Sequence, residues 1–163
     1  MRLFVGLRPS EAFRSALSEL QSGLQDAGIA ASYLDPSNFH MTLAFIGEWP
    51  ENVTDILPSV EQPFSLTLSH IGLFREAKVI WAGVEASEPL NDLAARVRSH
   101  LSAAGIPFDP KPFVPHITLG RKPVVPAAFD LSDIRIPAAK MTVSDVFLYR
   151  SDRGENGMVY SVL

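Results

Sequence analysis

"FVPHITLGRK" (residues 113–122) sets His116 two places before Thr118 in a short apolar run, with Arg121 and Lys122 close behind. Read as a strand, residues i and i+2 point to the same side with Cα atoms ~6.6 Å apart. His116 and Thr118 then share one face, and Ile117 and Leu119 the other. The same His-x-Thr-Leu core stands in "FHMTLAFIGE" (residues 39–48), where His40 and Thr42 face away from Phe39, Met41, Leu43 and Phe45. Two strands built only for packing would have no use for a polar pair at matching places, so both pairs are expected to line something other than the core.

The segments before each motif repeat as well. "RPSEAFRSALSELQSGLQDAG" carries Phe13, Leu17, Leu20 and Leu24 at helical spacing, with Pro9 and Ser10 as start signals and Gly28 as a stop. "SEPLNDLAARVRSHLSAAG" does the same with Leu90, Leu93, Val97 and Leu101, ending at Gly105. An Asp-Pro turn follows each helix, and the motifs lie 76 residues apart, too long and too few for a solenoid. "RLFVGL" reads as a first strand, "ENVTDILPSV" as a short Pro-interrupted helix, and "FSLTLSHIGLF" with "KVIWAGVE" as an antiparallel hairpin. "KMTVSDVFLYR" and "GMVYSVL" read as two last strands joined by the turn "SDRGEN". The expected fold is α+β: one domain over residues 1–163, a bilobal duplicated unit with two antiparallel sheets around a central cleft. Its helices lie outside and its lobes are related by a pseudo-two-fold axis.

At 163 residues the chain has the length of one domain with a sizeable core. The 47% hydrophobic and 20% charged composition is that of a folded globular protein. With no cysteine there is no thiol catalysis and no disulfide, which fits a reducing compartment. The apolar run near the start is too short for a signal-peptide core and nothing approaches a membrane span, so the expectation is a soluble cytoplasmic protein, monomeric, with no membrane partner. A net charge of −4 has the wrong sign for wrapping duplex DNA. Lys111, Arg121 and Lys122 near the second motif suit a single phosphate instead.

Two histidines can divide the roles of base and acid near neutral pH. In-line displacement at phosphorus brings the nucleophile in on one face and releases the leaving oxygen on the other, which suits one histidine on each side. Thr42 and Thr118 would donate hydrogen bonds to the nonbridging oxygens, and Arg121 would add positive charge. A zinc site is the competing chemistry, but stable sites want three or four ligands. Here there is no cysteine, no His-x-x-x-His, and no carboxylate within either motif, so no metal or other cofactor is expected. His70 and His100 read as surface residues. Tyr33, Phe74, Tyr149 and Trp81 are the aromatic candidates for stacking on a base, against ordinary strand packing.

"RLFVGLRPS", "FHMTLAFIGE", "VIWAGVE" and "FVPHITLGR" together resemble the two-histidine phosphoesterase superfamily. Within it they are similar to the RNA 2',3'-cyclic phosphodiesterases first described as 2'-5' RNA ligases. The resemblance spans nearly the whole chain. It implies a bilobal fold with a central cleft, metal-independent hydrolysis of a 2',3'-cyclic phosphate to a 2'-phosphate, and RNA ends or small cyclic nucleotides as partners. By motif position it makes His40 and His116 the acid–base pair, with His116 activating water and His40 protonating the 3' oxygen. Thr42, Thr118 and Arg121 become phosphate contacts. Tyr33 stands where relatives often carry Trp, and "GLRPS" replaces a more usual "ALxLP" start. A nucleotide-binding module without turnover, and a ligase running the chemistry in reverse, are the alternatives.

Overall fold

Two α-helices and nine strands make up residues 1–163, all described, in a computed structural model. The order is β1 (Arg2–Leu7), α1 (Glu11–Asp26), β2 (Ala30–Tyr33), β3 (Met41–Glu48), β4 (Phe64–Phe74), β5 (Val79–Val84), α2 (Glu88–Ala103), β6 (Ile117–Val124), β7 (Lys140–Val143), β8 (Phe147–Gly154) and β9 (Gly157–Val162). The two helices start alike. Ser10 Oγ accepts from the Phe13 N–H and Ser87 Oγ from the Leu90 N–H, satisfying donors that the first turn leaves free. Each helix buries its apolar stripe, and the chain leaves each through a left-handed glycine, Gly28 at φ 86° and Gly105 at φ 73°. The helix expected near residues 51–60 is only a 3₁₀ turn, Thr54–Ile56. Pro58 accounts for this, because it holds the preceding Leu57 extended. No helix is long and apolar enough to cross a membrane.

The strands run antiparallel in the order β7-β4-β5-β6-β3-β1-β8-β9, with β2 also pairing β6. This corrects the expectation of two separate sheets. The strands form one path, pinched at its middle where β6 meets β3 through the single pair Met41 and Ile117. The tail also differs, since β7 pairs β4 on one flank while β8 pairs β1 on the other, and residues 144–146 make the crossing. The β8–β9 turn is tighter than expected, with Gly154 paired to Gly157. Strand β2 has no clear apolar alternation, and it forms on the far end of β6.

Around each motif threonine the pairing of β1 with β3 matches that of β5 with β6, although the β1–β3 ladder shifts once more between Leu3 and Phe4. Gly6 pairs Thr42 and Val5 pairs Ala44, leaving Leu43 as an extra residue. Trp81 pairs Thr118 and Ile80 pairs Gly120, leaving Leu119 as an extra residue. Each motif strand therefore carries a β-bulge one residue after its threonine. The bulge reverses the alternation: Leu43 and Ala44 are both buried, as are Leu119 and Gly120. Beyond it Phe45 and Arg121 come round to the face of the threonines. Phe45, expected in the core, therefore lies in the cleft instead.

A bulge frees a carbonyl from the ladder, and here each is taken by a helix side chain at the matching place. Gln21 of α1 donates through Nε2 to Leu119 O and to Leu34 O, both at 2.9 Å. Arg98 of α2 donates through Nε to Leu43 O at 3.1 Å. Gln21→Leu keeps the volume but takes the Gln21 donor from Leu34 O and leaves Leu119 O with the Leu34 N–H alone. It should cost about 1–3 kcal/mol, with Tm down by about 2–4 °C for each kcal/mol. Because the β6 bulge aims Arg121, the turnover of the folded variant should fall too. A thermal melt and a rate measured well below Tm check both, and an unchanged melt would show that the bulge holds without Gln21.

Candidate active site

The two histidines stand immediately before their strands, at the pinch where β3 and β6 meet. His40 Nδ1 lies 2.8 Å from Asn38 O, and His116 Nδ1 lies 2.7 Å from Val114 O. A carbonyl oxygen only accepts, so each Nδ1 carries the proton and each Nε2 is left to take or give one. Both rings are thus oriented by the same local device, a bond to the carbonyl two residues back. His40, Thr42, His116, Thr118 and Arg121 all line one open cleft of about 860 Å³. A more apolar chamber of about 720 Å³ adjoins it and shares Thr42, Phe45, Phe74, Ala77 and His116.

Each histidine is backed by aromatic rings. His40 sits 4.6 Å from Phe4 and 4.9 Å from Tyr160, ring centre to ring centre, with Tyr149 stacked beneath Phe4 at 4.8 Å. His116 sits 4.8 Å from Phe74 and 6.0 Å from Trp81. Trp81 is spread over its cross-strand partner Gly72, where any side chain would collide with the indole. The aromatic candidates divide accordingly. Phe74 lines the cleft. Tyr149 is buried under the Phe4 and His40 rings and reaches a smaller neighbouring pocket. Trp81 packs behind His116, and Tyr33 is absent from the cleft, its hydroxyl donating to Ile29 O at 2.6 Å. His70 and His100 are exposed. Lys111 lines the apolar chamber, while Lys122 is exposed and lines neither cavity.

Phe4, Tyr160, Phe45 and Arg2 line the cleft without having been singled out from the sequence. Phe4 lies on a strand that is apolar on both faces, so alternation carried no signal for it. Tyr160 was the one large ring in an otherwise ordinary last strand.

Burial sets the charge state. The His40 pKa is pushed down to about 4, chiefly by burial, with the charges of His116 and Arg121 adding to the effect. His116 is also lowered by burial. The three groups line the same cleft, and the charges of His116 and Arg121 oppose protonation of His40. No group of three or more His, Asp and Glu side chains is placed to hold a metal ion.

The profile of the 2'-5' RNA ligase superfamily matches residues 38–155. The RNA 2',3'-cyclic phosphodiesterase of Thermotoga maritima is 31% identical over all of this chain and 93% of that protein. That of Methanothermobacter thermautotrophicus is 29% identical over 99% of this chain and 95% of its own. Among solved structures, a Thermus thermophilus protein superposes with a TM-score of 0.77 and 32% identity, covering 100% of this chain and 95% of that one. Escherichia coli LigT complexed with 3'-AMP superposes with a TM-score of 0.78 and 25% identity, covering 99% and 94%. With the profile spanning most of the chain and such relatives matching end to end, the protein belongs to the 2'-5' RNA ligase superfamily of two-histidine phosphoesterases.

Proposed function

We propose that the protein is an RNA 2',3'-cyclic phosphodiesterase, opening a 2',3'-cyclic phosphate to a 2'-phosphate without a metal ion. The observation that carries this reading is the pair of histidines, each with Nδ1 tied to a carbonyl, standing with two threonines and Arg121 around one cleft. His116 takes a proton from water as its oxygen bonds to phosphorus. The bond from phosphorus to the 3' oxygen breaks, and His40 gives that oxygen its proton. Thr42, Thr118 and Arg121 hold the nonbridging oxygens, and the apolar chamber offers room for the terminal base. The matching ladders, bulges and helix clamps support two lobes related by a pseudo-two-fold axis, made by duplication. One chain supplies both histidines, so a monomer is sufficient, and a cytoplasmic setting with RNA ends suits the absence of cysteine. Ring opening by water is favoured in dilute solution, so hydrolysis is preferred over the reverse ligation.

The depressed histidines make a specific pH dependence. Only a singly protonated pair is competent, so the rate is bell-shaped. In the empty cleft burial disfavours the charged rings, so the bell for kcat/KM lies on the acid side of neutrality. A bound phosphodiester anion favours imidazolium, raises both limbs, and moves the bell for kcat to higher pH than that for kcat/KM. The assay is initial rate against pH, with excess chelator, on RNA ending in a 2',3'-cyclic phosphate, with the product identified. A rate that climbs to pH 9, or that vanishes with chelator and returns with zinc, would overturn the two-histidine reading. A 2'-5' linked product would favour ligation.

A further inference from the structure

We infer that a pocket beside His40, lined by Arg8, Arg14, Ser37, Asn38, Tyr149 and Tyr160, binds a second phosphate group, the one joining the terminal nucleotide of an RNA end to its neighbour. The inference rests on the phosphodiesterase reading. Register places the pocket on the face of the sheet that carries the cleft: Ser151 lines the cleft and Tyr149, two residues back on β8, lines the pocket. Tyr160 lines both, and its ring and the Phe4–Tyr149 stack stand between the two spaces. Asn38 binds them together, since its carbonyl orients His40 and its side chain donates to Met158 O, also at the cleft.

The chemistry of the lining is that of an anion site. Two guanidiniums meet there in a chain whose net charge is −4, no carboxylate lines the pocket, and neither arginine belongs to any of the ion pairs in the molecule. Arg14 Nε is buried with no hydrogen-bond partner, so no protein acceptor holds that end of the guanidinium. Burial pushes the Tyr149 hydroxyl up to about 12 against the opposing charges of Arg8 and Arg14, so it remains a donor at neutral pH. The cavity, about 180 Å³, suits a phosphate and is far smaller than the cleft. A chain whose cyclic end sits between the histidines would pass Tyr160 and set its next phosphate on the arginines. The protein would then read an RNA end and not merely a cyclic nucleotide.

The test compares two substrates, a nucleoside 2',3'-cyclic phosphate with a free 5' hydroxyl and the same molecule with a 5' phosphate. The wild type should show kcat/KM about ten-fold higher for the second, as one charge-assisted contact to phosphate allows. Arg8→Gln and Arg14→Gln should each remove that gain and leave the 5'-hydroxyl substrate unchanged, which also shows that they fold. Should Arg14→Gln fail to fold, the exposed Arg8 carries the test alone. Equal wild-type rates on both substrates, a gain that survives in both variants, or equal loss on both substrates would overturn the proposal. Inorganic phosphate should stimulate the 5'-hydroxyl substrate in the wild type and in neither arginine variant, and stimulation that persists in both variants would also overturn it. Calorimetric binding of the matching nucleoside 2'-phosphates, with and without the 5' phosphate, separates the two readings. A wild type that hydrolyses neither substrate but binds the 5'-phosphorylated form more tightly, through Arg8, loses the phosphodiesterase reading and keeps the pocket. Equal binding removes the pocket.

Discussion

His40→Ala and His116→Ala should each lower kcat by about 10²–10⁴, the usual worth of one positioned acid or base. The double variant should be little worse than either single one, because a proton relay that has lost one end gains nothing from the other. Substrates with sulfur in place of the departing 3' oxygen assign the roles. A thiolate leaves without a proton, so removing the acid costs little with such a substrate, whereas removing the base costs as much as before. Recovery is expected in His40→Ala. A ring whose pKa is held low is the stronger acid once protonated, and the phosphodiester anion beside it supplies the charge that keeps the proton in place. The empty cleft has the opposite bias, since His40 resists a proton more than its partner. The assignment therefore depends on the bound anion. Recovery in His116→Ala would reverse the roles, and recovery in neither would remove the acid step from the mechanism.

The meeting of the two motifs at one cleft was legible because it rests on residue type at spacing two, the one periodicity a strand enforces. His40 with Thr42, and His116 with Thr118, needed nothing beyond the alternation of side chains, and the helix starts and stops were equally local. Arg121 was found by its nearness in sequence, yet a regular strand would have turned it away from Thr118. It reaches the cleft because Leu119 bulges, and nothing in "HITLGR" announces a bulge: the Leu119 carbonyl is held by Gln21, almost a hundred residues earlier, together with the Leu34 N–H. Phe45 failed for the same reason in reverse, placed in the core by an alternation that the Leu43 bulge breaks. The single sheet path was hidden too. Two repeated units suggest two sheets, and only the pair of Met41 with Ile117 decides that their edges join. Tyr33 shows the limit of a position read from a resemblance, because its hydroxyl is drawn to Ile29 O by the local fold of β2 and not toward any ligand.

Arg121→Ala should lower kcat by about 10²–10³, and Thr42→Val and Thr118→Val should act in the same direction, each chiefly on kcat. In the proposed mechanism the three groups face oxygens whose charge grows as water adds to phosphorus, so their bonds would strengthen toward the transition state and contribute less to binding the ground state. Thr→Val keeps the shape and removes only the donor. Arg121 is exposed and makes no ion pair, so it faces the cleft with its charge uncompensated by protein. It also opposes protonation of His40, which gives the variant a second signature. With Arg121→Ala the His40 ring accepts a proton more readily, so the acid limb of the kcat/KM profile should move to higher pH even as the rate falls. Arg121→Lys should keep much of that pH position, because the charge remains, while recovering only part of the rate, because an ammonium cannot reproduce the planar fork. The two readouts therefore separate field from geometry. If Arg121→Ala raises KM and leaves both kcat and the pH profile in place, Arg121 is a binding group and the stabilisation of the transition state falls to the threonines alone.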